Sequence, residues 1–371
     1  MAVRTEGDVI AVIGAGVSGL ATALALATRG RDVVVLERHP RPGLDTSTHN
    51  SGVIHAGLYY PPHTLKARLC NEGRERLYAF AERHHVPHVR CGKLIVATTA
   101  DEVPALERIV TTAADAGARV EPVTPAWLAA REPHVRAVAA LWSPDTGWIE
   151  AESYVRALVA ECQRLDVALL VGTALTACEW RPTGGRLHTP RETIEVEAVV
   201  NAGGLFADEI ASLCGGESFR IYPCRGEYAE LAPRARGLVR GLVYPVPHAS
   251  GHGLGVHLTR TMSGAVWIGP TIDYREGKDD YESNRLSLEA FLEPTRQLLP
   301  SITLEDLRLG GSGLRPKLHP PTERFADFMI RQDRRQPRLW HAAGIDSPGL
   351  TASLAIGEHL AGMIDAALSR G

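Results

Sequence analysis

The sequence predicts an α/β fold of two parts. One is a parallel-sheet, dinucleotide-binding unit that is discontinuous along the chain, and the other is a mostly antiparallel-sheet domain set between its pieces. Three observations carry this reading. A strand (Val9 to Ile13), a glycine turn, an apolar helix (Ser18 to Arg29) and a second strand (Val33 to Leu36) follow one another as a right-handed parallel unit does. Similar strand and helix units return in the middle and at the end of the chain. Between Tyr222 and Thr271, by contrast, the apolar runs are short, alternate with polar residues and are broken by Pro and Gly.

The first helix is closed by Gly30, the residue favoured just past a helix end. Helical spacing then covers Lys66 to His84, and Lys93 to Thr98 reads as a strand. Asp101 to Ala116 reads as a helix ended by Gly117, followed by a strand over Ala118 to Val123. Glu152 to Arg164 is a helix leading into a buried strand at Val167 to Val171. Glu195 to Val200 is a strand meeting Asn201-Ala-Gly-Gly, with Ala207 to Leu213 helical beyond it. In the antiparallel stretch the clearest strands are Gly226 to Leu231, Gly255 to Leu258 and Ala265 to Ile268. Helix returns at Asn284 to Leu299, and Leu350 to Leu368 closes the chain.

A chain of 371 residues, 44% hydrophobic and 22% charged, buries a full core and does not have the composition of a disordered protein. Its net charge of −3 and lack of basic runs leave no electrostatic footprint for nucleic acid. Only four of its 40 basic residues are Lys, so the abundant Arg reflects coding bias and no single Arg carries weight without a motif. The six cysteines show no CxxC spacing, which predicts neither a metal site nor a disulfide framework and fits a reducing, cytoplasmic setting. Val9 to Ala27 is free of charge over 19 residues and so rivals a membrane span or signal-peptide core.

The glycines in that stretch decide against the rival. Gly14 turns sharply out of the strand, Gly16 lets backbone approach a pyrophosphate, and Gly19 lets helix and strand pack closely. Glu37 then ends the second strand, where a carboxylate accepts ribose hydroxyls. The segment that follows, Arg38 to Gly52, is polar and includes Thr46, Ser47, His49, Asn50 and Ser51. Folded back along an extended dinucleotide, it sets hydroxyl and amide groups against phosphates and a flavin ring, which favours FAD over NAD.

Several runs resemble one family. HNSGVIHAGLYYP (His49 to Pro61), LKARLC (Leu65 to Cys70) and CGKLIVA (Cys91 to Ala97) are similar to the L-2-hydroxyglutarate dehydrogenase/oxidase group of the D-amino-acid-oxidase (DAO) superfamily of flavoproteins. So are RGEY (Arg225 to Tyr228), YPVP (Tyr244 to Pro247), GLGVHLT (Gly253 to Thr259), WIGP (Trp267 to Pro270), GLRPK (Gly313 to Lys317) and GIDSPGLTASLAIG (Gly344 to Gly357). The resemblance covers nearly the whole chain, although this chain is shorter between Thr271 and Ser312 than longer members of the group.

The resemblance implies a Rossmann-like FAD-binding domain of the glutathione-reductase type, made of 1–84, 148–216 and 312–371, with a substrate domain made of 85–147 and 217–311. It implies oxidation of an L-2-hydroxy acid, L-2-hydroxyglutarate, to the 2-oxo acid by hydride transfer to flavin N5. An amino-acid or amine oxidase of the same superfamily, or a non-catalytic flavin-binding subunit, stands as the alternative. Thr173, Ala202, Gly203 and Gly313 are further cofactor contacts on this reading, together with Pro348, Gly349, Leu350 and Thr351 at the entry of the closing helix.

Hydride transfer requires a group to remove the hydroxyl proton and groups to hold the substrate. His55 is the candidate base, because its segment passes near the flavin and an imidazole titrates near working pH. Arg315, in Gly313-Leu-Arg-Pro, is the candidate partner for a carboxylate. For a second carboxylate, Tyr60, Lys66, Arg225, His257 and Arg260 are candidates. The electron acceptor stays open among oxygen, a quinone and a carrier protein, and peripheral membrane contact stays open with it.

Overall fold

The computed structural model describes residues 9–247 and 256–369. Its first sheet has six strands. Val9–Ile13 (β1) lies at its centre, parallel both to Asp32–Leu36 (β2) and to Ala198–Asn201. Ala168–Leu170 continues the parallel set beyond β2, and Leu339–Ala343 continues it beyond Ala198–Asn201. Met329–Gln332 adds an antiparallel edge.

The alternation of strand side chains splits this sheet into two faces. Ile10, Val12, Val33, Val35 and Val200 meet Leu20, Ala23 and Leu26 of the helix Val17–Thr28 (α1), as well as the closing helix Gly349–Leu368. Ala11, Ile13, Val34, Leu36 and Val199 meet Leu187 and Val196 of a three-stranded antiparallel sheet, Ala177–Arg181, Gly184–His188 and Thr193–Val196. The charge-free stretch Val9 to Ala27 is therefore a buried strand and a 12-residue helix. Among the described residues no helix is long and apolar enough to cross a membrane. All six cysteines are free.

Among the described residues the second sheet has nine strands. Tyr222–Leu231 pairs with Val266–Gly269 and with the long strand Leu307–Lys317, which runs through position 312, where the sequence reading places a domain boundary. Val266–Gly269 pairs on with His257–Arg260, Leu242–Pro245 and Lys93–Ala97. All of these contacts are antiparallel except that between Lys93–Ala97 and Leu242–Pro245. One face packs Leu94, Val96, Val243, Leu258 and Ile268 against the helix Leu288–Leu298. On the other face Ile95, Ala97 and Leu141 meet Leu106, Ile109 and Ala113 of the helix Val103–Asp115, while Tyr228, Tyr244 and His257 line a cavity.

Several sequence expectations need correction. The strand expected at Val167 to Val171 is a short edge strand, Ala168–Leu170, with no fully buried residue. The strand expected at Glu195 to Val200 is two strands in two different sheets, separated at Glu197. Ala118 to Val123 holds only the exposed pair Glu121–Pro122 as strand. The helix expected from Asn284 begins at Leu288, because Asn284 takes a left-handed φ of +50° that no helix accepts. The strand read from Gly255, and Gly253 to Gly255 of the GLGVHLT run, start outside the described residues.

Candidate active site

A cavity of about 540 Å³ runs between the two sheets. Its first part is built by β1, α1 and β2. Gly14 has φ +107°, and a Cβ there would lie 2.5 Å from the Ala202 carbonyl oxygen, so only glycine makes this turn. Gly14 and Gly16 line the cavity, whereas Gly19 does not; Gly19 touches the Gly14 carbonyl and lets α1 close on β1. The Glu37 carboxylate at the end of β2 accepts from the Ala15 and His39 amides, each at 2.8 Å, and forms part of the wall.

The polar segment after β2 folds back along the cavity as its composition suggests. Ser47 Oγ accepts from the Val17 amide at 3.0 Å, at the first turn of α1. Thr46 Oγ1 donates to the Leu314 carbonyl at 2.8 Å, and Asn50 Nδ2 donates to the Thr46 and Ser47 carbonyls. Arg38, which stacks on Phe206 and pairs with Asp45, lines the wall with His49 and Ser51. Thr173, Ala202, Gly203 and Gly313 line it as well, as do Pro348, Gly349 and Leu350 at the start of the closing helix. Thr351 is fully buried behind that wall, where its hydroxyl accepts from the His55 amide at 2.9 Å.

This shape fits FAD on the structure's own terms. A carboxylate waits at the end of β2, and the N-terminus of α1 faces the middle of the cavity. The N-terminus of a second, 20-residue helix faces its far part. A Cβ on Gly16 would stand 2.8 Å from Ser47 Oγ and fill the approach. Gly16→Val is therefore expected to purify without bound flavin yet folded, as read by the ratio of flavin to protein absorbance; full occupancy would contradict this assignment.

The far part of the cavity collects the chemistry. His55, Tyr228, Tyr244, His257, Arg315, Asp346 and Ser347 line it. His55 Nε2 is 3.3 Å from Ser347 Oγ, which in turn lies 3.3 Å from the Tyr60 hydroxyl. Burial, and after it the charge of Lys93, pushes the His55 imidazole down to about 3. His257 stacks on Tyr244 at 3.7 Å and is pushed down to about 3 by burial, then by Lys93, His55 and Arg315. Both rings are thus neutral at physiological pH.

Arg315 crosses the space left open by Gly226, where a Cβ would lie 2.6 Å from Nη2. Its Nη1 donates to the Thr271 carbonyl at 3.2 Å and meets Cys224 Sγ at 3.8 Å. Among the described residues it has no carboxylate within ion-pair distance.

Of the five candidates for a second carboxylate, the structure places four outside the cavity lining. Arg225 points to the far face of its strand, opposite Gly226 and Tyr228. There it is held by Glu227 at 2.7 Å and by the Ser283 and Asn284 carbonyls. Arg260 shares the far face with Leu258 and donates to the Arg236 and Val239 carbonyls. Lys66 lies behind the wall, paired to Asp346 at 2.6 Å, and Tyr60 reaches the site only through Ser347. His257 alone of the five lines the cavity, as a neutral ring.

Sequence reasoning missed Tyr228, Tyr244, Asp346 and Ser347 of the lining, and Lys93 behind Tyr244. Asp346 and Ser347 sit inside the GIDSPGL run, and Lys93 stands at the head of an otherwise apolar run, Leu94-Ile-Val-Ala97, where a charge has no packing reason to be. That isolated charge was the available signal.

Residues 9–363 match the family described as "DAO: FAD dependent oxidoreductase". The chain is 35% identical to an L-2-hydroxyglutarate dehydrogenase, mitochondrial, from Arabidopsis thaliana, covering 94% of this chain and 82% of that protein. It is 30% identical to an L-2-hydroxyglutarate dehydrogenase from Indibacter alkaliphilus, covering 94% and 96%. In structure it is similar to dithionite-reduced L-alpha-glycerophosphate oxidase from Mycoplasma pneumoniae with FAD bound, with a TM-score of 0.88 at 24% identity over 97% of this chain and 95% of that one.

Proposed function

The chain belongs to the DAO family of FAD dependent oxidoreductases, and from that membership we propose that it oxidises L-2-hydroxyglutarate to the 2-oxo acid. The observation that carries the reading is one juxtaposition. A guanidinium with no carboxylate partner among the described residues, Arg315, lines one end of a dinucleotide-shaped cavity together with two buried, neutral imidazoles, His55 and His257. The relatives named L-2-hydroxyglutarate dehydrogenase supply the substrate.

Bound FAD supplies a two-electron acceptor for the hydrogen on C2. Arg315 pairs with the C1 carboxylate and fixes which face of C2 is presented. As the C2 hydride leaves, His55 takes the hydroxyl proton and the C2–O bond becomes a carbonyl, so two electrons and one proton depart with the hydride and one proton is left on the imidazole. An imidazole must be neutral to do this, and burial keeps His55 so. Ser347 and Tyr60 form a hydrogen-bonded path by which that proton can leave. The first turn of the closing helix would favour negative charge on a flavin held there.

Phosphates, ribose and flavin are held on this reading by the residues that line the cavity: Gly14, Gly16, Glu37, Thr46, Ser47 and the backbone at Pro348 to Leu350. Activity with an artificial electron acceptor is expected with L-2-hydroxyglutarate and not with D-2-hydroxyglutarate, L-glutamate, sarcosine or glycerol 3-phosphate. Turnover of L-glutamate or sarcosine in its place would make the protein an amine oxidase.

A further inference from the structure

Four lysine or arginine side chains are buried among the described residues: Lys66, Arg74, Lys93 and Arg225. Three have a carboxylate close by, Lys66 on Asp346 at 2.6 Å, Arg74 on Glu75 at 2.9 Å and Arg225 on Glu227 at 2.7 Å. Lys93, only 1% exposed, has none within ion-pair distance among the described residues. Its ammonium rests over the rings of Tyr244 at 4.5 Å and Tyr59 at 4.9 Å. Aromatic faces soften the burial of a cation but do not neutralise it. A Leu or Met would fill the start of this fully buried strand without the desolvation cost.

The register of the sheet shows where this charge points. Lys93 pairs with Leu242 and Ile95 with Tyr244, so Lys93 and Tyr244 share a face. Tyr244 stacks on His257, and both rings line the cavity, so Lys93, which is not itself part of the lining, lies directly behind Tyr244 on the face that Tyr244 turns to the cavity. Arg225 and Arg260, the cations expected on sequence grounds, lie on the opposite one. Lys93 and Arg315 both act on His257, and Lys93 also acts on His55. Among the described residues neither Lys93 nor Arg315 has a carboxylate within ion-pair distance, and the charge of each is felt at His257.

We propose that Lys93 is the second positive group of the substrate site, the specificity-determining residue that selects a second carboxylate on the 2-hydroxy acid. The inference rests on the reading above and adds to it the origin of the preference for a dicarboxylate. Arg315 takes the carboxylate beside the reacting carbon. The charge of Lys93 favours a substrate whose far end is also anionic, in an enclosed site where water screens weakly.

The groups around Lys93 make this testable by pH. Cys70, from the helix Leu65–Arg83, is pushed up to about 12 by burial. Tyr59 and Tyr244 are raised further by the same cause, and His55 and His257 are held down to about 3. All five are neutral at pH 7. Lys93, pushed down to about 7 by burial, is the member of this cluster whose charge changes near neutrality.

The experiment uses the FAD-loaded protein and its Lys93→Met variant. It compares kcat/KM for L-2-hydroxyglutarate and for L-2-hydroxypentanoate, which has the same carbon chain without the far carboxylate. Glutarate binding is read separately, from perturbation of the flavin spectrum. Lys93→Met should weaken glutarate binding and kcat/KM for the dicarboxylate by about 30-fold or more while leaving the monocarboxylate within about threefold. In the wild type, glutarate affinity should fall roughly tenfold per pH unit above pH 7, and this dependence should vanish in the variant.

Equal losses on both substrates, unchanged glutarate affinity, or a pH dependence that survives in Lys93→Met would overturn the proposal. Lys93-dependent glutarate binding by a protein that L-2-hydroxyglutarate fails to reduce would support this proposal and sink the substrate assigned above.

Discussion

Replacing His55 with Asn is expected to slow flavin reduction by L-2-hydroxyglutarate about 10²- to 10⁴-fold, the cost of losing a general base, while FAD remains bound. Asn keeps a polar group of similar reach beside Ser347 and leaves the backbone bond from His55 to Thr351 in place, so the cavity wall survives. The pH profile provides a second readout. A base held down to about 3 stays neutral through the usual histidine range, so the acid limb of wild-type kcat/KM should lie well below pH 6.5. Anaerobic stopped-flow reduction of His55→Asn at near wild-type speed would reduce His55 to a wall residue.

Arg315→Lys is the second large effect. The guanidinium spans the gap above Gly226 and is braced by the Thr271 carbonyl, so its fork faces the cavity in one orientation. Lysine retains the charge and loses both the fork and the brace. Loss of one partner of a desolvated charge pair costs on the order of 2 to 5 kcal/mol, equivalent to roughly 30-fold to several thousand-fold in kcat/KM. The loss should fall on every 2-hydroxy acid tested, dicarboxylate or not, because every one carries the C1 carboxylate. A variant with wild-type kcat/KM would show that Arg315 is not the C1 anchor. This pattern differs from that expected of Lys93→Met, which should spare the monocarboxylate.

What could be read from the sequence follows from how local each signal is. The turn at Gly14 and Gly16, Glu37 at a strand end and the polar segment around Thr46 to Ser51 are local, and they line the cavity as their types require. His55 and Arg315 came from motifs and also reach it. Arg225 and Arg260 lie on the face away from the cavity, which the sequence does not tell because a strand shows a reader two faces and does not say which is inward. Here one is covered by the helix Leu288–Leu298. The antiparallel sheet over residues 177–196 was missed because its strands are short and half exposed, and the middle one opens on two glycines. Lys66 misled for another reason: its charge is spent on Asp346, a pairing across 280 residues that no local pattern encodes.

The central claim is that a carboxylate-anchored 2-hydroxy acid gives up its C2 hydrogen to the bound flavin with His55 taking the proton. A single anaerobic turnover tests it most directly. FAD-loaded protein mixed with one equivalent of L-2-hydroxyglutarate should lose its oxidised-flavin absorbance and yield one 2-oxoglutarate per flavin reduced. Persistent oxidised-flavin absorbance with L-2-hydroxyglutarate, alongside bleaching by L-glutamate, sarcosine or glycerol 3-phosphate, would contradict the account.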